Sequence, residues 1–517
     1  MNYRMGIDVG GTNTDAVLLD ESGQVIARTK EPTTQDVMSG IEAAITTLLG
    51  VSGVPRQAIT QAMLGTTQCT NAIVERKALN SVAHLRLGAP ATLAIPPMEG
   101  VPDDLRALLG QHLFMVEGGI EYDGSDLAPL NEQQIRRHLR DVCGQVDAIS
   151  VCGVFSPVSA HQELQVAQWV KEELGDIPVS LSHAIGSIGL LERENASILN
   201  AALFRTARTT AAAFVEALQR HQVNAKVYFG QNDGTLMTLE HALAYPILTI
   251  ASGPTNSIRG ASYLAGLEHA LIIDVGGTTT DVGMLSDGFP RESLIAAQIG
   301  GVRTNFRMPD IASIGLGGGT VVHLDADGGF QIGPDSVGYR LTLDALVFGG
   351  HTLTITDIAV AKGLADIGER RYVRHLSPAF IEQVYERYVT MVEAVIDRMK
   401  TSSAPLPVVL VGGGAIILPT QLEGASQIIR PENFGVANAI GVAIAQASGE
   451  VELIVSLEHK SLNAGIDEAV NQAIARAISA GAIADSVTVV DLDTTSLAYM
   501  PGNAVRIRVK AAGSLGT

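Results

Sequence analysis

Apolar runs that stop abruptly at glycine set the frame of this chain. Met5–Val9 is strand-like and turns on Gly10-Gly11; Ala16–Leu19 and Val25–Arg28 follow as strands joined across Asp20-Glu21-Ser22-Gly23. The 3.6-residue spacing of Val37, Ile41, Ala44, Ile45 and Leu48 predicts a helix over Gln35–Leu49, stopped by Gly50. Asp147–Phe155, His161–Leu174 and Val179–Ser182 read as strand, amphipathic helix and strand, the order of a parallel sheet. A long helix runs from Leu190 towards Gln222 with alanines at 201, 202, 207, 211, 212 and 213, a face that admits close approach of another helix. Val408–Val411 is a buried strand entering Gly412-Gly413-Gly414, and Val436–Gln446 is a small-residue helix expected to pack against the one beginning near Leu190. Residues 81–145, broken by Pro90, Pro96, Pro97 and Pro102, predict little beyond a solvated helix at Glu132–Leu139.

One pattern occurs twice. Ile7-Asp8-Val9-Gly10-Gly11-Thr12-Asn13-Thr14-Asp15 returns as Ile273-Asp274-Val275-Gly276-Gly277-Thr278-Thr279-Thr280-Asp281, differing only at the seventh place. Each copy ends an apolar run, turns on two glycines and then offers hydroxyls. Backbone of this kind holds phosphate oxygens, because glycine presents no Cβ and consecutive amides form an anion-binding concavity. A single copy is as well explained by an ordinary hairpin turn; two copies imply two similar halves, each offering a loop to opposite sides of one polyphosphate. The first loop lies inside a hairpin, which separates it from Rossmann and P-loop sites, where a helix N-terminus carries the phosphate. No G-x-x-x-x-G-K-[ST] occurs, and Gly315-Leu316-Gly317-Gly318-Gly319-Thr320 fails the dinucleotide fingerprint at its last place.

Composition narrows the class to α/β. The chain has 517 residues, 46% hydrophobic but only 4% aromatic, with 54 glycines, which suits buried parallel strands. A net charge of −19 without a Lys/Arg run argues against nucleic acid and anionic membrane as partners. The uncharged segment Thr401–Leu422 contains three prolines and a glycine triplet, so it reads as a buried strand and turn, not a membrane span. Cys69, Cys143 and Cys152 show no metal-ligand spacing and no disulfide framework. Free thiols in a reducing cytosol are expected, and with the first strand a few residues from Met1 no signal sequence is expected.

Other polar positions are candidates with plain alternatives. Thr66, Thr67, Thr70 and Asn71 either cap the helix that follows or form a loop near phosphate or substrate. Glu192 and Glu194 are either first-turn acids favoured by the helix dipole or face the cleft. His161 and His183 lack any metal spacing and read as turn residues, and Cys69 reads as a small buried thiol. Asp357 and Lys362 suggest a local ion pair. Asp325–Gly329 lacks the later ligands of a calcium loop and reads as a hairpin turn.

The two Asp-Val-Gly-Gly-Thr loops, the Val-Gly-Gly-Gly-Ala turn and the two small-residue helices resemble the ATP site of the actin, sugar-kinase and Hsp70 superfamily. Within it, Gly6–Asp15, Gly65-Thr66-Thr67, Ser252-Gly253-Pro254, Asp274–Asp281, Gly317–Gly319 and Thr356-Asp357 resemble the hydantoinase/oxoprolinase family, A subunit, over roughly residues 1–445. The resemblance implies two actin-like, ribonuclease H-like halves around a nucleotide cleft. They are expected at 1–188, with an inserted segment at about 81–145, and at 189–448 including a connecting helix, with a small C-terminal α/β segment at 449–517. It implies ATP-dependent hydrolysis of a cyclic amide such as a hydantoin or 5-oxoproline in the cytoplasm, an oligomer, and a separate B-type partner subunit. Asp8 and Asp274 would hold hydrated Mg²⁺ and serve catalysis. Gly10, Gly11, Thr12, Asn13, Thr14, Gly276, Gly277, Thr278 and Thr279 would grip phosphate, Gly412, Gly413 and Gly414 would lie against the base, and Thr66, Thr67, Asn71, Glu192 and Glu194 would face substrate. The segment Leu87–Gly100 departs from the family's Thr-x-Gly-Phe pattern, which leaves the substrate open. A small-molecule kinase and a non-catalytic ATP switch are the alternatives, and no residue stands out as the general base.

Overall fold

Two β-hairpins, one in each half, start the two main sheets. In the first, β1 (Tyr3–Val9) turns into antiparallel β2 (Asn13–Leu19), and β3 (Val25–Pro32) continues the meander. In the second, β11 (Ala270–Val275) turns into β12 (Thr280–Ser286) in the same way. The computed structural model describes residues 2–11, 13–33, 37–293, 297–306, 308–325, 327, 329–458, 460–498, 500 and 502–516. Each hairpin's first strand has a parallel neighbour: β4 (Ile59–Thr66), reached through α1 (Val37–Ser52), lies beside β1, and β19 (Leu406–Val411) lies beside β11. The repeat seen in the sequence is thus a repeat of three-strand units.

The first sheet has nine strands, in the order β22 (Thr488–Ser496), β23 (Ala504–Gly513), β21 (Ala447–Ser456), β10 (Leu236–Thr238), β9 (Lys226–Gly230), β4, β1, β2, β3. Sheet membership therefore crosses the boundaries expected near 188 and 448. The C-terminal segment is α/β, but it extends the first sheet: Val451, Val455, Ile507 and Val509 bury their side chains against Ala469, Ala473 and Ala477 of α13 (Leu462–Ser479).

The inserted segment forms its own parallel sheet, in the order β6 (His112–Glu117), β5 (Val82–Ala89), β7 (Ala148–Gly153), β8 (Val179–Leu181). It closes over Val82–Leu181, further than the 81–145 expected, with α3 (Asp103–Leu109), α4 (Glu132–Asp141) and α5 (His161–Leu174) as its helices. Asn131 caps α4 by accepting from the Gln134 amide at 3.1 Å. The 31-residue α6 (Leu190–Arg220), about 46 Å long at 1.5 Å per residue, joins this sheet to the first, packing on β7, α1 and α2 (Gln68–Glu75). The short α7 (Leu239–Ala244) follows β10.

The second sheet runs β13 (Phe289–Pro290), β12, β11, β19, β20 (Ala425–Ile429), with β16 (Ile311–Ile314) also on β12. Two ribbons, β14 (Ala297–Ile299) with β15 (Val302–Thr304) and β17 (Thr320–Leu324) with β18 (Phe330–Ser336), and helices α9 (Leu341–Asp344), α10 (Ile355–Lys362) and α11 (Pro378–Met399) complete it.

Between the sheets α8 (Ser252–Ala265) crosses α12 (Ala437–Ile444). This corrects the expected pairing of the 436–446 helix with the one starting near Leu190. The reason is backbone contact: a Cβ on Gly260 would lie 1.9 Å from the Ala437 carbonyl oxygen, and one on Gly441 1.8 Å from that of Asn256. Alanines on α6 cannot match that approach. Helix α8 also begins at Ser252, ahead of the Asn256 start expected, because Ala251 takes a left-handed φ of 64° and Pro254 falls in the first turn, where no intrahelical donor is lost. Among the described residues no helix is long and apolar enough to cross a membrane.

Candidate functional site

Both loops close identically. The Gly10 amide donates to the Asn13 carbonyl at 3.0 Å and the Gly276 amide to the Thr279 carbonyl at 2.9 Å. Asp8 sits opposite Asp15, and Asp274 opposite Asp281, at matching places in the two hairpins. The loop tips Gly11 and Thr278 are exposed, while Asp8 and Thr14 are buried beneath. Thr12 lies outside the described residues.

Helices α8 and α12 bring the two halves' carboxylates together. Asn256 Nδ2 donates to Asp8 Oδ1 at 3.1 Å, and the next residue, Ser257, donates its hydroxyl to Asp274 Oδ2 at 2.5 Å. From α12, Asn438 Nδ2 donates to Asp8 Oδ2 at 3.0 Å and to Asp15 Oδ2 at 2.9 Å. Lys30 on β3 pairs with Asp15 Oδ1 at 2.5 Å. Burial pushes the Asp8 carboxyl up to about 6 against the pull of its amide donors, with Asp15 and Asp274 adding to the rise. Burial likewise raises Asp274 and Asp15, opposed at Asp274 by Ser257 and Lys30 and at Asp15 by Lys30 and Asn438. Asp281, half-buried opposite Ser313 of β16, is pushed up to about 7 by desolvation. Carboxylates that raise one another's pKa across two halves are suited to a cation, since opposite charge favours their ionised form.

The second loop rests on a stack of glycines. The Gly276 and Gly277 carbonyls accept from the Gly318 and Gly319 amides at 3.1 and 2.7 Å, and Gly318 in turn accepts from the Thr356 amide and hydroxyl, both at 2.8 Å. A Cβ on Gly317 would lie 2.7 Å from the Gly276 oxygen. Gly412, at φ +84°, passes so close to Asp274 that a Cβ there would lie 2.1 Å from its Oδ1, whereas a Cβ on Gly413 or Gly11 would meet nothing within 4 Å. The glycine turn at Gly413 and the first loop at Gly11 thus border open space. Gly65 repeats the close contact in the first half, its Cβ position lying 2.1 Å from Asp8 Oδ1. Thr67 donates to the Val9 carbonyl at 3.3 Å and Thr66 Oγ1 accepts from the Gln68 amide at 3.2 Å, so both secure the start of α2 beside the first loop. Asn71 is half-buried one turn later. Behind Thr66 a cavity lined by Cys69, Thr210, Phe229 and Thr249 has room for about one water. Burial raises the Cys69 thiol to about 11.

The acids of α6 are placed elsewhere. Glu194 is buried in an ion pair with Arg86 Nη2 at 2.5 Å and accepts from His84 Nε2 at 2.8 Å. Burial alone would raise it, but the hydrogen bonds from Arg86 and His84 hold it at about 2, so its carboxylate ties β5 to α6 and does not face the loops. Glu192 is half-exposed and pairs with Arg303 at 3.2 Å. Asp357 does not pair with Lys362: it closes a capping box with Thr354 and accepts from the Val347 amide at 2.7 Å, while Lys362 pairs with Glu382. Asn256, Ser257, Asn438 and Lys30 were missed in the sequence. The doublet Asn256-Ser257 was visible only as a helix start, and no pattern shows that successive residues reach opposite halves.

These features define an actin-like fold of two ribonuclease H-like halves. A profile of the hydantoinase/oxoprolinase N-terminal region matches residues 4–174, and one of hydantoinase/oxoprolinase matches residues 193–374. The chain belongs to the hydantoinase/oxoprolinase family. It is 28% identical over 402 residues to the caprolactamase α subunit of Pseudomonas jessenii, covering 70% of this chain and 55% of that one. It is also 28% identical over 390 residues to the acetophenone carboxylase γ subunit of Aromatoleum aromaticum, covering 69% and 52%. The chain thus spans about half the length of these relatives. The crystal structure of ATP-dependent caprolactamase from P. jessenii superposes with a TM-score of 0.76 at 19% identity, over 99% of this chain and 88% of that one.

Proposed function

We propose that this chain is the ATP-using subunit of an enzyme that phosphorylates the carbonyl oxygen of a cyclic amide, such as a hydantoin, 5-oxoproline or another lactam, for hydrolytic ring opening. The observation that carries the reading is the paired hairpin loops whose aspartates are held by successive residues of α8. A lactam carbonyl is a poor electrophile and its nitrogen a poor leaving group. Attack of the amide oxygen on the γ-phosphorus, with departure of ADP, makes an imidate phosphate; water then adds at the ring carbon, the C–N bond breaks as the nitrogen takes up a proton to leave an acyl phosphate, and a second water hydrolyses that to the carboxylate and inorganic phosphate.

ATP supplies the phosphoryl group and Mg²⁺ balances its charge. Among the described residues no group of three or more His, Cys, Asp or Glu is placed to hold a metal. The donor set that would fit a hydrated cation is Asp8 and Asp274, brought together from the two halves by Asn256 and Ser257. With the Gly10 and Gly276 amides closing their loops, the amides that follow, from Gly11 in the first copy and Gly277 in the second, would position phosphoryl oxygens, Lys30 would offer a positive charge to them, and Gly412–Gly414 would let a flat ring lie against backbone. Thr66, Thr67 and Asn71, next to the first loop, line the approach of the substrate. A partner subunit, as the relatives' subunit names suggest for those proteins, completes or shelters ring opening. A ketone in place of the lactam is the second reading, favoured by the acetophenone carboxylase match; it uses the same loops on the same kind of oxygen.

The test is ADP release screened against hydantoins, 5-oxoproline, other lactams, sugars and ketones, with and without a B-type partner subunit. Lactam-dependent ADP release matched by ring-opened product on adding the partner is the expected result. A stable phosphorylated sugar in equal yield, or turnover indifferent to every small substrate, would reject the reading.

A further inference from the structure

Asp8 and Asp274 belong to different sheets, yet both are hydrogen-bonded to one turn of one helix. Asn256 reaches Asp8 in the first half, and Ser257, the next residue, reaches Asp274 in the second. Successive helical residues point about 100° apart, so two neighbours serve two different partners only when both partners lie against the same turn. Both donors are buried: Asn256 is 1% and Ser257 2% exposed. Helix α8 is itself fixed. Gly260 and Gly441 press its backbone on α12, and the Asn256 carbonyl lies against Gly441. Gly65 lies against the Asp8–Asn256 contact, its Cβ position 2.1 Å from Asp8 Oδ1 and 2.5 Å from Asn256 Nδ2, and Gly412 lies against Asp274 Oδ1, the oxygen Ser257 does not bond, each leaving no room for a Cβ.

Resting on the reading of Asp8 and Asp274 as the cation-holding pair, we propose that Asn256 and Ser257 are positioning residues that together set the distance between the two carboxylates. The alternative is that each merely satisfies its own aspartate as an independent buried hydrogen bond. The two accounts differ in additivity. If the pair acts as one spacer, cutting either end frees the separation and cutting the second adds little; independent contacts add their effects. Asn438 is the internal contrast, because it bridges Asp8 to Asp15 within the first half and does not span the two halves.

Mn²⁺ serves as the probe, its binding to the full chain with a non-hydrolysable ATP analogue followed by electron paramagnetic resonance. Analogue affinity without metal and urea unfolding of metal-free protein are measured beside it. Asn256→Ala and Ser257→Ala should each weaken Mn²⁺ binding about tenfold, the lower end for residues that orient metal ligands. The double variant should remain near tenfold, and analogue affinity without metal should hold. Combining Asn438→Ala with Ser257→Ala should give a product of the single losses. If the double alanine variant does not fold, Asn256→Ser, too short to reach Asp8, closes the same cycle. A double loss near a hundredfold, or single variants that bind like wild type, overturns the spacer while leaving the cation site standing. Wild-type protein that binds no Mn²⁺ with the analogue removes the cation site itself, and the spacer with it.

Discussion

At the scale of single residues, buried charge divides the chain's acids into two kinds. Glu194 is fully buried but matched by Arg86 and His84, and a carboxyl held at about 2 against an ordinary 4.5 contributes roughly 3 kcal/mol of stability. Its folded pKa lies below the unfolded one, so this stabilisation is complete above the unfolded value and is lost as pH falls towards 2. Glu194→Gln should cost about 3–5 kcal/mol at neutral pH by stranding Arg86. In urea unfolding, its gap to wild type should narrow as pH is lowered from about 5 to about 3. A role at the substrate would instead alter KM with stability unchanged. Asp8 and Asp274 are of the other kind, raised by burial with no fully matched cation. Asp8→Asn and Asp274→Asn should bring Mg²⁺-dependent ATP turnover to background while leaving the far-ultraviolet spectrum and unfolding midpoint close to wild type; full activity in both rejects the site.

At the scale of elements, the glycines separate packing from binding. Gly441→Ala places a methyl carbon against the Asn256 carbonyl and should cost at least about 1–3 kcal/mol, because neither helix backbone can yield without moving Asp8's partner. Gly413→Ala meets open space and should change stability by less than about 0.5 kcal/mol. It should weaken nucleotide binding measured by calorimetry, since the methyl group occupies the side on which a ring would lie. Both hairpin loops, α5 and α6 were legible in the sequence because each carries a local signal: a turn motif, a cap or a 3.6-residue period. The insert's central strand was not, because His84 and Arg86 interrupt its apolar pattern and are buried only by virtue of Glu194, distant in sequence. The crossing of α8 with α12 was misread for a related reason. Alanine content marks a helix that tolerates neighbours, whereas Gly260 and Gly441 mark the pair that touches, and that becomes visible only when the two are brought together. The addition of β21–β23 to the first sheet is equally a long-range event that no local pattern records.

At the scale of the whole molecule, the C-terminal segment ties the halves together through buried charge. Arg508 on β23, fully buried, pairs with Glu450 at 2.5 Å and Asp491 at 3.0 Å in its own segment and with Glu292 of the second half at 2.8 Å. Nearby, Phe289 of β13 has Arg259 4.2 Å and Lys510 5.5 Å from its ring centre. The junction is therefore held by ion pairs, while at the loops Asp15 and Asp274 lie close enough to raise Asp8, and Asp15 close enough to raise Asp274. We expect the halves to rotate on these ties, an intervening cation and polyphosphate drawing the two glycine loops together while Asn256 and Ser257 keep the carboxylates at their spacing. Small-angle scattering should show a smaller radius of gyration with Mg²⁺ and a non-hydrolysable ATP analogue together. Analogue alone adds negative charge between the loops and should contract the protein less. Asp274→Asn, which lowers both the repulsion and the hold on the cation, should shrink the difference between the two conditions. Identical curves with and without the Mg²⁺–analogue complex would show that the halves are already locked, and the ion pairs at Arg508 would then be part of a rigid frame.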